Sequence, residues 1–419
     1  MSAFETAYMK KAAFRCVYLV LICASFSSCL KDRCTRHFQY YTPVLEKLST
    51  LRAGVKSLPA QSLKVPGKIF VKGKLVFVNE KNKGIHVIDN SNPAKPVKTS
   101  FIAIPGNIDM YASGNFLYAD IYCDLAALDI SNPSNISVAK FLTRIFPDRV
   151  PYTASENADS INVITRWIEH DTVADCSAQA LIYTTCPSCS GTAGLFAASN
   201  AGGGAKATAG SQARFAAVDN FLYAVTTRTL NIVDITQLNN PVQKGTKSVG
   251  WDVETIFPYE SKLYIGAGSS MSVLDIKDPV NPVQLSWNGH WCSHDPVVVD
   301  SKNAYVTLHE ANTCSGTVNQ LEVYDLSNEY NPILRKIYPM KYPQGLSKDG
   351  DLLFVCDDGL KIYDASNPAQ MVLKAQLRAG DAYDVIAQNG IAIVTGKQGI
   401  YQFSYADPSH IYQISTLKY

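Results

Sequence analysis

The densest chemistry in the chain is His290-Trp291-Cys292-Ser293-His294-Asp295, followed by Leu308-His309-Glu310 and Cys314. Imidazoles at such spacing suit a transition metal, and His290, His294 and His309 are the candidate Zn²⁺ ligands. A Cys292–Cys314 disulfide beside solvent-facing histidines accounts for the same residues without a metal. Cys186-Pro187-Ser188-Cys189 has CxxC spacing. No βαβ pattern surrounds it, so a redox motif is disfavoured and a local disulfide between Cys186 and Cys189 is expected. A third set is Asp109, Asp252, Asp295 and Asp384, each just ahead of an apolar strand. Carboxylates gathered around one axis are the ligand type of a Ca²⁺ site. An aspartate recurring at one place in a repeat more often accepts turn amides, and that role is expected here. No nucleophile, base and orienting group stand at catalytic spacing, so no enzyme activity is expected, and no cofactor beyond the Ca²⁺ or Zn²⁺ alternative.

The elements that must position these residues repeat. Residues 84–93 read GIHVIDNSNP, 125–133 LAALDISNP, 230–236 LNIVDIT, 272–279 SVLDIKDP, 321–328 LEVYDLSN and 360–368 LKIYDASNP. A worn seventh copy, 399–408, reads GIYQFSYADP. Asp89 to Asp129 is 40 residues, Asp234 to Asp275 is 41, and Asp325 to Asp364 is 39. Each core follows a second strand signal such as Asn115-Phe116-Leu117-Tyr118-Ala119, rich in β-branched and aromatic residues, and Asn-Pro ends close the strand. Each period therefore holds four short strands. Runs such as Leu75-Val76-Phe77-Val78 do not alternate with polar residues, so the sheet must be covered on both faces. Sheets arranged radially cover one another, and about 40 residues is a propeller period. The fold class is all-β: a seven-bladed β-propeller of four-stranded antiparallel blades, with eight blades as the second reading. An eighth, degenerate blade would have to lie in the insertion at 148–211, which lengthens one period.

The recurrent L-x-I-V-D-I-S-N-P pattern resembles the LVIVD-repeat family of bacterial and archaeal surface proteins. The resemblance runs from about Val65 to the C-terminus, apart from the insertion. It implies a propeller and implies no particular activity.

The N-terminus reads as an address. Met9-Lys10-Lys11 and Arg15 precede an apolar run at 16–26, then Ser27-Ser28-Cys29. A basic start, a short apolar core and small residues describe a secretory signal, here 1–28, and the run is too short to span a bilayer. Phe26-Ser27-Ser28-Cys29 resembles the lipobox of bacterial lipoproteins, which implies a lipid on Cys29 and anchoring to the membrane. Lys31-Asp32 resembles a signal for the outer face of the outer membrane. A periplasmic or secreted protein is the alternative. Residues 29–61 are expected to be tether and linker, with a short helix opening at 42–48 and a part that pairs with the last blade to close the ring. Within the insertion, 161–173 and 180–185 are expected to form a hairpin. Residues 62–419 are the propeller.

Lys plus Arg exceed Asp plus Glu by 38 to 36, so nothing in the net charge draws nucleic acid. Eight cysteines beyond position 29 favour disulfides in an exported chain. The expected role is a non-enzymatic envelope scaffold that binds a protein or glycan. An envelope hydrolase or lyase using the channel mouth, or a metal-binding surface protein, are the alternatives.

Overall fold

The computed structural model describes residues 35–149, 160–175, 207–209, 211–289, 296–309 and 318–419. Seven antiparallel sheets, each containing four strands in chain order, form the blades of a β-propeller. The inner strands are Pro66–Lys72, Met110–Ser113, Phe215–Val218, Val253–Tyr259, Val297–Val299, Leu346–Asp349 and Ala382–Gln388 for blades 1 to 7. The first three strands of each blade are largely buried, as their unbroken apolar runs require. The outer strands, such as Ile333–Pro339 in blade 5, are largely exposed.

The repeat motif makes two kinds of joint. The aspartate ending each third strand caps the next turn: Asp89, Asp129, Asp234, Asp275, Asp325 and Asp364 each accept the amide two residues on, at 2.7–3.1 Å. In the worn seventh copy Ser404 replaces that residue, and the turn keeps only its second cap, Asp407 to the Ser409 amide at 2.9 Å. The same turns then serve the neighbouring blade. A hydroxyl of one blade donates to a turn carbonyl of the next: Ser100 to Pro133, Tyr118 to Leu238, Tyr223 to Pro279, Tyr338 to Pro368 and Ser415 to Pro93. At the two remaining junctions Lys262 pairs with Glu329 at 2.9 Å and Tyr405 donates to Asp349 at 2.5 Å. The turn aspartates are therefore structural.

Ring closure differs from the expectation. Blade 7 has four strands of its own (Ala382–Gln388, Ile391–Gly396, Gly399–Ser404 and Tyr412–Lys418), and among the described residues no N-terminal strand joins it. Ile386, Ile393 and Ile400 pack on Ile69, Val71, Val76 and Val78 of blade 1, and the Asn90 and Gln402 amides exchange hydrogen bonds at 2.7 and 3.0 Å. The N-terminal strand Lys56–Pro59 instead pairs with the outer strand of blade 1. The expected helix opening at 42–48 is mostly strand: Thr35–Lys47 is extended and the helix is Leu48–Ala53. Its Leu48 and Leu51 are buried against blades 1 and 2, and Arg52 binds Asp124 at 2.5 Å.

The strand Asn162–Asp175 pairs with Thr35–Lys47, not with 180–185, which lies outside the described residues. The outer parts of these two strands, 35–42 and 167–175, belong to a separate compact unit, in which Tyr40 stacks on His170 and Thr42 bonds it at 2.8 Å. Among the described residues no strands of the insertion form an eighth blade, and no helix is long and apolar enough to cross a membrane.

Candidate functional site: the central channel

In every blade one inner position stands seven residues ahead of the first residue of the second strand: Lys68, Asp109, Arg214, Thr255, Pro296, Gly345 and Asp384. Register shifts accompany this position in blades 1, 4 and 7, and such bulges re-aim side chains. Going round the ring from blade 7 to blade 3, the residues are Asp384, Lys68, Asp109 and Arg214. Their charges alternate, and the remaining three blades contribute none.

Asp109 is 1% exposed and Asp384 is 2% exposed. Asp109 accepts the amides of Met110 at 2.7 Å and of Arg214, and lies 3.7 Å from the Lys68 ammonium. Its own amide and that of Ile108 donate to Asp120 at 2.8 Å, and Asp120 is paired with Arg149. Asp384 accepts the Val385 amide at 3.0 Å and the Ser211 hydroxyl at 3.3 Å, through the same oxygen; its other carboxylate oxygen is buried without a hydrogen-bond partner. Gly345 makes room for this carboxylate, since a Cβ there would overlap it. Burial raises both acids, Asp384 to about 7. Burial also lowers Lys68 to about 7, against the pull of Asp109. Two carboxylates matched by two cations provide no net negative charge for a cation. Among the described residues no three His, Cys, Asp or Glu side chains gather as metal ligands.

Asp252 does not belong to this ring. It is exposed, has a left-handed backbone (φ 55°) and precedes the ring position of its blade, Thr255, by three residues. In blade 5 the ring position is Pro296; Asp295 lies outside the described residues, as do His290, Cys292, His294, Cys314, Cys186, Cys189 and Cys29. His309 is described: it follows the second strand of blade 5 (Asn303–Leu308), buried, with its ring 4.8 Å from Tyr342. Of the cysteines expected to favour disulfides, the two described, Cys123 and Cys356, are free and buried.

The end of the insertion crosses the channel. Ala207–Ala209 adds a strand to the inner edge of blade 1. Beyond it, the Ser211 hydroxyl accepts the Leu346 amide of blade 6 at 2.6 Å. The Gln212 carbonyl accepts from Lys68, and its side chain donates to Tyr383 of blade 7 at 2.7 Å. The Ala213 carbonyl accepts the Ile256 amide of blade 4 at 3.1 Å. Arg214 reaches Asp109 of blade 2 and the Val253 carbonyl of blade 4. Residues 211–214 thus form a strap that leads into blade 3, whose Val225 amide donates to the Arg214 carbonyl at 2.8 Å, and is bonded to five further blades.

On the far side of the strap a cavity of about 810 Å³ opens between blades 3 and 6. Ser211 and Leu346 lie at its floor, Phe257, Val298 and Val299 in its walls, and Asp219, Glu260, Asp300 and Lys348 near its rim. Asp300 is spoken for: it caps its turn and stands 3.8 Å from Lys348. Asp219 and Glu260 hold the first place of two-residue turns with φ of 51° and 52°, a conformation that suits glycine and disfavours a side chain. Apolar walls with a few polar groups at the lip are the make-up of a ligand cavity. Strap, cations and cup residues were not singled out from sequence. Counting back from the second strand would have found Lys68 and Arg214.

A family model described as LVIVD repeat matches residues 66–101, 108–141 and 343–378. The chain carries LVIVD repeats. The matched segments are blades 1, 2 and 6, and the other four blades have the same strand order. No curated protein matches the chain. Among solved structures, a protein from Lactobacillus plantarum is similar at 11% identity, covering 84% of this chain and 96% of that one, with a TM-score of 0.52. Sqt1 from Saccharomyces cerevisiae is similar at 10% identity, covering 87% and 88%, with a TM-score of 0.50. At such identities the likeness shows the fold alone.

Proposed function

We propose that this LVIVD-repeat propeller is a non-enzymatic scaffold of the bacterial cell envelope, anchored through a lipid on Cys29, that binds a protein or glycan in the cup between blades 3 and 6. The cup is the observation that carries this reading: it is concave, walled by apolar side chains and rimmed by charge. Among the described residues Asp219 and Glu260 form no ion pair, so the occupant presents a cationic or hydroxyl-rich group to that rim. The acids of the channel are committed elsewhere. Asp109 and Asp384 are held by amides under the strap, which disfavours them as the reacting pair of a hydrolase or lyase.

The test is charge reversal at the rim. Envelope extract and a glycan array are probed with the intact chain and with the Asp219→Lys, Glu260→Lys double variant. The reading predicts a bound species that the variant loses at unchanged melting temperature. A species retained equally by both would place the binding surface elsewhere. Turnover of an envelope substrate by the purified chain would overturn the non-enzymatic reading.

A further inference from the structure

We propose that Trp251, Arg228 and Asp252 form a saccharide-binding platform on the face of the ring opposite the cup. Trp251 precedes the inner strand of blade 4, Val253–Tyr259, and the cup acid Glu260 follows it. The length of that strand sets the two roughly 20 Å apart, so the platform does not depend on what the cup binds.

Trp251 is 71% exposed, yet its loop is fixed. The Val249 amide donates to the Arg228 carbonyl, the Val253 amide to the Thr227 carbonyl and the Gly268 amide to the Asp252 carbonyl, each at 3.0 Å. The loop is thereby tied to a turn of blade 3 and a turn of blade 4. The blade 3 turn is itself locked: the Thr226 hydroxyl accepts the Arg228 and Thr229 amides at 3.2 and 3.1 Å. Gly250 (φ 121°) and Asp252 (φ 55°) bracket the tryptophan with left-handed backbone. At Asp252 that conformation works against the side chain, and such strain gathers where function holds it. Trp287 is the contrast. It is 61% exposed on the outer strand of blade 4, but its ring folds back over Gly289 of its own strand, and among the described residues no cation stacks on it.

The chemistry of the loop selects the ligand. The Arg228 guanidinium stacks on the indole, 3.8 Å from the ring centroid. Stacking uses the face of the guanidinium and leaves its in-plane N–H groups able to donate. Among the described residues neither Arg228 nor Asp252 forms an ion pair. A donor fork and a carboxylate acceptor therefore stand beside one apolar plate, and their charges cancel. A pyranose matches this arrangement: its C–H face is apolar and flat, and its hydroxyls at the edge both donate and accept. Net neutrality gives no advantage to a strongly anionic or cationic ligand. A protein hot spot needs an aromatic anchor ringed by contacts that exclude water. The residues around Trp251 are Thr227, Arg228, Gly250 and Asp252, all exposed and none a large apolar side chain. The platform thus fits a neutral saccharide with vicinal hydroxyls.

A glycan array of neutral and acidic oligosaccharides, probed with the intact chain, tests this, and each bound saccharide is titrated by tryptophan fluorescence. A neutral saccharide is expected to bind. Trp251→Ala should weaken it about tenfold or more, and Arg228→Ala by about threefold or more. Both residues are exposed, so the melting temperature should not change. Trp287→Ala and the Asp219→Lys, Glu260→Lys double variant should bind that saccharide as the intact chain does. The proposal is overturned if no neutral saccharide binds, or if either Trp251→Ala or Arg228→Ala binds it as tightly as the intact chain. A saccharide lost by the double variant and retained by Trp251→Ala belongs to the cup, which overturns the platform and leaves the cup reading standing.

Discussion

The two halves of the channel are built on different principles. From blade 7 to blade 3 the ring positions are Asp384, Lys68, Asp109 and Arg214, buried and balanced in charge under the strap. From blade 4 to blade 6 they are Thr255, Pro296 and Gly345, and there the wall opens into a cup. Identical blade topology thus supports a sealed, charged half and an open half whose lining mixes apolar and polar side chains. Buried charge gives little net stability but makes removal of one partner expensive. The charged half therefore fixes where the strap lies, and the neutral half leaves room.

The largest expected effect is at the charged half. Asp109→Ala should destabilise the chain by about 3–5 kcal/mol, because it leaves the buried Lys68 without this counter-charge and the Arg214 amide buried without its acceptor. Thr255→Ala, at the same position of blade 4, should cost about 1 kcal/mol. Urea denaturation measures both, and equal losses would erase the distinction between the halves. Next come the junctions, which should not distinguish them. Tyr223→Phe removes the bond to Pro279 and Tyr338→Phe the bond to Pro368. Each should cost about 1 kcal/mol. A twofold disparity in the same denaturation assay would show that the ties are unequal. The smallest effect is at the cup rim. Glu260→Gly relieves a side chain at φ 52° and should raise stability by up to about 1 kcal/mol. A gain in melting temperature together with weaker partner binding would show that the rim acid is retained at the expense of stability.

The fold was legible because its joints are written in recurring residues. Asp129-Ile130-Ser131-Asn132-Pro133 and its copies specify the same capped turn in nearly every blade, and the turn is local. The site was less legible. Asp109 and Asp384 stand at ring positions, but Asp252 shares only their sequence neighbourhood. The distance from the lead-in loop to the channel varies with the bulge, while the distance to the second strand does not. Lys68 lacks a motif, and its role comes from facing blades 7 and 2 across the ring. The strap reads as the polar end of a Gly- and Ala-rich stretch. Its five partners are brought together by topology alone, and a short segment without periodicity gives no signal of them.

The seam between blades 7 and 1 has a consequence for how the chain folds. Asn90 and Gln402 are 312 residues apart, yet neither blade borrows a strand from the other. Every blade can finish its own hairpins as soon as its residues emerge, with only local loops to close. The distant ends meet once, at the end, and the entropy of that meeting grows only with the logarithm of the length enclosed. Apart from the short Ala207–Ala209 strand added later to blade 1, a chain that leaves its synthesis site slowly, one end first, does not have to hold an unfinished sheet edge open for a strand that arrives last.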